Sequence, residues 1–137
     1  ERGRGGARGQ ASTWERPEGD PDAPIAYTAR REQALIYRLS GDRNPLHADP
    51  AFAAMGGFDR PILHGLCTYG FTGRALLAGL CDGDVANFGS MYGRFSSPVF
   101  PGETLTIDMW RTADGGLFQT KGDDGRVVLD QGTFTRR

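Results

Sequence analysis

Residues 64–80, His-Gly-Leu-Cys-Thr-Tyr-Gly-Phe-Thr-Gly-Arg-Ala-Leu-Leu-Ala-Gly-Leu, constrain the fold more than any other stretch of this chain. Their length and spacing predict a helix. Leu66, Tyr69, Phe71, Leu76, Leu77 and Leu80 are spread widely around it, so it is expected to be buried on most sides. Gly65, Gly70, Gly73 and Gly79 lower its intrinsic helix propensity. That cost makes sense if a sheet wraps closely around the helix. A weak helix of no special role leaves the glycines unexplained.

After Gly83 the pattern changes to strands. Residues 85–96 form one candidate. In 103–111, Leu105, Ile107 and Met109 alternate with Thr104, Thr106, Asp108 and Trp110, the two-residue period of a strand. Gly115-Gly116 reads as a turn into 117–121, and Asp124-Gly125 as a hairpin signal leading into 126–135. Upstream, 24–29 is a short strand candidate and 31–40 has helical character, with Leu35 and Leu39 one turn apart. Asp49-Pro50 opens a second short helix, with aspartate as cap and proline in the first turn, and Gly56-Gly57 ends it. A strand, short helices, one long buried helix and four antiparallel strands imply an α+β domain whose sheet curls around a central helix.

The chain has 137 residues, enough for one domain, and 38% apolar residues supply a core. Residues 23–137 are assigned to that domain. Residues 1–22 hold five glycines, two prolines and four arginines, and read as a flexible linker that buries little. An opening Glu1 in place of Met fits a fragment or a processed product. The net charge of −1 gives no support to nucleic-acid or membrane-surface binding, and no apolar run approaches a membrane span. Cys67 and Cys81 lie on or near one helix and are not expected to pair, which fits a reducing, cytoplasmic compartment. The C-terminal Thr135-Arg136-Arg137 is not a peroxisomal address.

The chemistry concentrates in 37–47, Tyr-Arg-Leu-Ser-Gly-Asp-Arg-Asn-Pro-Leu-His, which holds one of only two histidines. Pro45 has no amide donor and steers Asn44 out of helical geometry. The preceding helix should therefore end near Gly41, leaving Asp42, Asn44 and His47 on an ordered turn. Asp42 and His47 can act as an acid/base pair on a water, and Asn44 can hold that water without titrating. The plain alternative makes Asp42 a turn cap, Asn44 a turn stabiliser and His47 a buried polar residue. The run Arg60-Pro61-Ile62-Leu63-His64-Gly65-Leu66 decides against it. It enters the long helix at Gly65, whose amide has no intrahelical partner and sits at the positive end of the helix dipole. A carbonyl oxygen gaining negative charge can bind there. His64 is read as a structural residue at the helix start. A metal set of Asp42, His47, His64 and Cys67 lacks paired ligand spacings, so no metal is expected.

These segments resemble the type 2, or R-specific, enoyl-CoA hydratases of the MaoC-like family. The family signature appears as Tyr37 through His47. A second family segment appears as Arg60 through Gly70, and a third as Arg94-Phe95-Ser96-Ser97-Pro98-Val99-Phe100-Pro101-Gly102-Glu103-Thr104-Leu105. The resemblance implies a hot-dog fold, a curved antiparallel sheet around a long helix. It also implies a hydro-lyase that reversibly adds water to a trans-2-enoyl-CoA, giving an (R)-3-hydroxyacyl-CoA. Asp42 and His47 take the catalytic positions, Asn44 helps to hold the water, and Gly65, with Leu66 beside it, forms the oxyanion and substrate-binding position.

No cofactor is implied, because the thioester itself activates the double bond. His47 as base and Asp42 as proton donor is the preferred assignment, and the residues alone leave the reverse open. The nearest likeness is to the catalytic half of double hot-dog hydratases. The chain is therefore expected to pair, as a homodimer or with a separate N-terminal half. Rival readings are a 3-hydroxyacyl-carrier-protein dehydratase, a noncatalytic acyl-CoA-binding subunit and, more weakly, a thioesterase.

Overall fold

The computed structural model describes residues 13–137. Strand β1 (Ile25–Thr28) leads to a short helix α1 (Gln33–Tyr37), which tightens into a 3₁₀ turn over Arg38–Ser40. Gly41, at φ 119°, ends it in a backbone conformation that side-chain-bearing residues rarely adopt. A second 3₁₀ turn, Pro45–His47, precedes helix α2 (Pro50–Met55). Asp49 caps α2 by accepting the Ala51 amide at 2.9 Å, and Pro50 occupies its first turn, as the Asp-Pro pair predicts. Helix α3 (Gly65–Leu80) follows, then β2 (Phe88–Phe95), β3 (Thr104–Thr112), β4 (Gly115–Lys121) and β5 (Val127–Arg136). Val85–Asn87, expected at the head of β2, instead makes a 3₁₀ turn, because the Asp84 side chain accepts the Ala86 amide and bends the chain there.

The five strands form one antiparallel sheet in the order β1-β3-β4-β5-β2. Leu105, Ile107 and Met109 are fully buried, as their alternation requires. They meet Ala75, Leu76 and Leu80 of α3 together with Phe118, Leu129 and Phe134 from the neighbouring strands. Each such large apolar side chain contributes about 1.5–3 kcal/mol on burial. Irregular pairing between β4 and β5, with Gln131 at φ 53°, marks a bulge that bends the sheet over α3. The close wrap expected from the glycines of α3 holds at Gly79. A Cβ there would stand 2.8 Å from the Met109 methyl. It does not hold at Gly70, which faces open space.

Two expectations need correction. Gly115 and Gly116 are not the turn: they open β4, and Ala113-Asp114 turns the chain. Gly115 is required because a Cβ would collide with the Phe134 carbonyl of β5, and one at Gly116 would press on Leu80. Helix α3 is not buried on most sides. The sheet covers one side only, leaving a stripe of Leu66, Gly70, Arg74 and Ala78 exposed. Leu35 and Leu39 likewise face outward, and only Ala34 of α1 is buried.

Residues 1–12 of the expected linker lie outside the described residues. Residues 13–22 form neither helix nor strand, yet they are bonded to the sheet. The Trp14 indole donates to the Gly132 carbonyl at 2.8 Å. Asp22 donates its amide to the Met109 carbonyl at 2.8 Å and accepts the Arg111 amide at 2.7 Å. Arg16 lies over the ring of Trp110, 5.0 Å from its centroid.

Candidate active site

The turn after Gly41 is shaped by side chains bonding to backbone. Asn44 Oδ1 accepts the Leu46 amide at 3.0 Å and caps the 3₁₀ turn, with Pro45 at its first position. The Asn44 amide donates to Asp42 Oδ1 at 3.2 Å. Asn44 thus holds the turn through its oxygen, and its Nδ2 is the group suited to meeting a water.

The turn brings His47 against the segment that precedes α3. His47 Nδ1 lies 2.8 Å from the Ile62 carbonyl. A carbonyl can only accept, so Nδ1 carries the proton and Nε2 of the neutral ring keeps a lone pair. His64 is 1% exposed, and its Nε2 lies 3.0 Å from the Asp42 carbonyl. By the same logic His64 Nε2 is protonated, while its Nδ1 is buried with no hydrogen-bond partner among the described residues. The two imidazoles stack at 3.8 Å between centroids with planes 25° apart, and the tilted Tyr37 ring lies 4.7 Å from that of His64.

Asp42, His47 and His64 offer ligand atoms within 4.8 Å of one another. A metal needs each imidazole nitrogen to point at one centre about 2.0–2.1 Å away. The two rings stack with planes 25° apart, so their in-plane lone pairs lie in nearly parallel planes. Each ring pairs one nitrogen with a backbone carbonyl and keeps the other able to exchange a proton.

Gly65 is the first residue of α3, and the His64 carbonyl accepts the Cys67 and Thr68 amides at 3.0 and 3.2 Å. The Gly65 and Leu66 amides come earlier in the helix than any intrahelical acceptor. Gly65 and His47 line the same cavity of about 360 Å³, walled by Thr68, Phe95, Val99 and Val128. A second cavity of about 490 Å³, between Arg31 and Arg60, also has His47 in its wall. The Phe95 ring rests on Gly65: a Cβ there would lie 3.3 Å from it.

Leu66 departs from its expected role. Its side chain is 65% exposed and lines a separate groove with Tyr37, Phe71 and Arg74, so only its amide stays near Gly65. Sequence reasoning also missed the carbonyl partners of both histidines and the Phe95 lid on Gly65. Backbone acceptors carry no residue signature, although the aromatic start of the third segment was visible. Cys67, expected as an unpaired thiol, is free and buried, and burial pushes its pKa up to about 11.

Among known proteins, residues 12–132 match the family model described as MaoC like domain. The chain is 57% identical over 138 residues to 3-hydroxyacyl-thioester dehydratase Y of Mycobacterium tuberculosis, covering 95% of this chain and 48% of that protein. It is 50% identical over 111 residues to enoyl-CoA hydratase ChsH3 of the same organism, covering 81% of this chain and 39% of that protein. The crystal structure of a MaoC-like dehydratase from Phytophthora capsici superposes with a TM-score of 0.90 at 43% identity, over 96% of this chain and 47% of that one. The chain therefore spans half or less of the length of each of these relatives. With its curved five-stranded sheet around α3 it has the hot-dog fold, and it belongs to the MaoC-like domain family.

Proposed function

We propose that this chain carries the reaction centre of a hydro-lyase that reversibly hydrates a trans-2-enoyl-CoA to an (R)-3-hydroxyacyl-CoA. One observation carries the reading: His47, its Nδ1 tied to the Ile62 carbonyl, shares a cavity with the Gly65 amide at the start of α3. The names of the related hydratase and dehydratase support the same chemistry.

The thioester carbonyl accepts the Gly65 N–H and draws electrons from the double bond. His47 Nε2 takes a proton from water as the water oxygen bonds to C3. The negative charge that reaches the carbonyl oxygen is stabilised by the amide and the α3 dipole. Asp42 acts as the donor of a proton to C2. One H and one OH have then been added, and a proton passing from His47 back to Asp42 restores the starting state. The committed Nδ1 of His47 favours this direction over the reverse roles. No metal or redox group is required in these steps.

Run backwards, the same steps dehydrate a 3-hydroxyacyl thioester, and the dehydratase relative favours that direction as a second reading. The pairing of acid, base and amide disfavours a noncatalytic subunit.

The chain works as one member of a pair, either a homodimer or a partner to a separate N-terminal hot-dog half. Exposed Leu35, Ile36, Leu39 and Leu66 support this, because a large apolar face on α1 and α3 calls for cover. The buried free thiols suit a reducing, cytoplasmic setting. No helix among the described residues is long and apolar enough to cross a membrane.

Hydration of crotonyl-CoA by the purified chain tests the reading. Asp42→Asn and His47→Gln are expected to keep the fold and nearly abolish turnover. Turnover within a few-fold of the parent in both variants rejects the acid/base assignment. Light scattering tests the pairing, and a fully active species of 14.8 kDa rejects it.

A further inference from the structure

Of the buried titratable side chains that the reaction as derived leaves unused, His64 is the one that meets both Asp42 and His47. We propose that His64 is a positioning residue whose ring sets Asp42 and His47 relative to each other and whose backbone registers both to the Gly65 amide. This rests on the reading of the site given above.

Three contacts converge on this residue. Its Nε2–H holds the Asp42 carbonyl at 3.0 Å, fixing the backbone from which the Asp42 carboxyl projects. Its ring face supports the His47 ring at 3.8 Å, while the Ile62 carbonyl fixes that ring's edge. Its own carbonyl takes the Cys67 and Thr68 amides and so starts α3 at Gly65. Proton donor and base come from the turn over 42–47 and the carbonyl-binding amide from the start of α3, and His64 touches both places.

The ring's other nitrogen, Nδ1, is buried and meets no hydrogen-bond partner among the described residues, so the ring acts through its Nε2 edge and its face. Asp42, His47 and Tyr37 are the titratable groups that meet the ring. A residue that only filled space would need neither the Nε2 donor nor the flat face.

Three substitutions separate these contributions. His64→Phe keeps the face and volume and loses the donor. His64→Gln keeps a donor at similar reach and loses the face. His64→Ala loses both. Misplacement of reacting groups by about 1 Å costs on the order of 10²-fold in rate. His64→Ala should therefore show the largest fall in kcat for crotonyl-CoA hydration, with KM within about threefold of the parent. His64→Gln and His64→Phe should each recover part of that loss.

Nitrogen-15 NMR of the His47 ring gives a readout independent of activity. The parent should show the Nδ1–H tautomer, and His64→Phe and His64→Ala a mixture or broadened signals. Parent-like kcat per folded molecule in all three variants, or an unchanged His47 tautomer and line shape, overturns the proposal. A parent that holds the tautomer but hydrates nothing rejects the hydratase reading and leaves the positioning role standing. His64→Phe keeps the core filled, so the NMR comparison remains decisive if the smaller variants unfold.

Discussion

Glu103 and Arg126 form a largely buried ion pair that fastens the loop between β2 and β3. Arg126 Nη2 donates to both Glu103 carboxylate oxygens at 2.9 Å and to the Pro98 carbonyl at 3.0 Å. The same carboxylate accepts the Phe100 amide at 2.7 Å and the Asp123 amide at 3.3 Å. Gly122 leaves room for it, since a Cβ there would lie 2.8 Å from Glu103 Oε1. The fastened loop supplies Ser96–Val99 to one cavity beside His47 and Pro101 to the other. Its Val99 carbonyl also takes the Leu63 amide at 2.7 Å, one residue from the carbonyl that orients His47.

Glu103→Gln should loosen this loop. Losing a hydrogen bond to a charged group costs about 1.5–3 kcal/mol. Arg126 keeps Asp124 at 2.7 Å, so a loss near the lower end is expected in urea unfolding. KM for crotonyl-CoA should rise more than kcat falls, because the loop shapes walls and carries no reacting group. Unchanged stability and unchanged KM would remove the loop from the site.

Gly65→Val should lower turnover more than stability. The new side chain must push against the Phe95 ring, already 3.3 Å from an ideal Cβ, and it crowds the space where the thioester oxygen binds. Phe95 is half exposed and can move, so the fold should survive. Steady-state kinetics beside a thermal melt check this. Full activity per folded molecule would sink the oxyanion role.

Cys67 should resist alkylation in the native protein at pH 8. Burial pushes its pKa up to about 11, against an ordinary 9.0, so little thiolate forms. The sign for stability follows. Between pH 9 and 11 the unfolded thiol ionises while the folded one stays protonated, so stability falls as pH rises through that window. Iodoacetamide labelling with and without urea checks the first point. Urea titrations across the window, compared with Cys67→Ala, check the second.

Trp14→Ala should destabilise the fold without touching the chemistry. Its indole holds the Gly132 carbonyl, and its segment lies with Trp110, whereas the core-facing Met109 alternates to the α3 side of β3. A loss of about 1–3 kcal/mol is expected, with kcat per folded molecule unchanged. Altered kcat at full folding would instead tie this segment to the site.

The long helix and the capped helix α2 were legible in the sequence because they rest on local rules: periodicity, an Asp-Pro start and glycine stops. The four late strands were legible through alternation and hairpin signals. Gly115 and Gly116 were misread because glycine serves both tight turns and close strand contacts, and only the partner strand tells which. The open stripe of α3 was misread because Leu66 is apolar whether it faces the core or solvent. Asp42, Asn44 and His47 stood out through the proline-shaped turn. The grip of His64 on Asp42 did not, since it runs from a side chain to a carbonyl that every residue possesses.

The contacts that shape this turn all fall within residues 42–65. Asp42, His47, His64 and Gly65 lie within one contiguous stretch of the chain, and its internal bonds run from Asn44 to Leu46, His47 to Ile62 and His64 to Asp42. The sheet contributes walls: Phe95 and Val128 line the cavity, and the fastened loop brings Ser96–Val99. Reactivity and substrate shape are thereby written in different parts of the polypeptide. Changes in β2 or β5 can reshape what the cavity admits while the proton-handling unit stays intact, so a lineage of such chains can alter its diet without reinventing its chemistry.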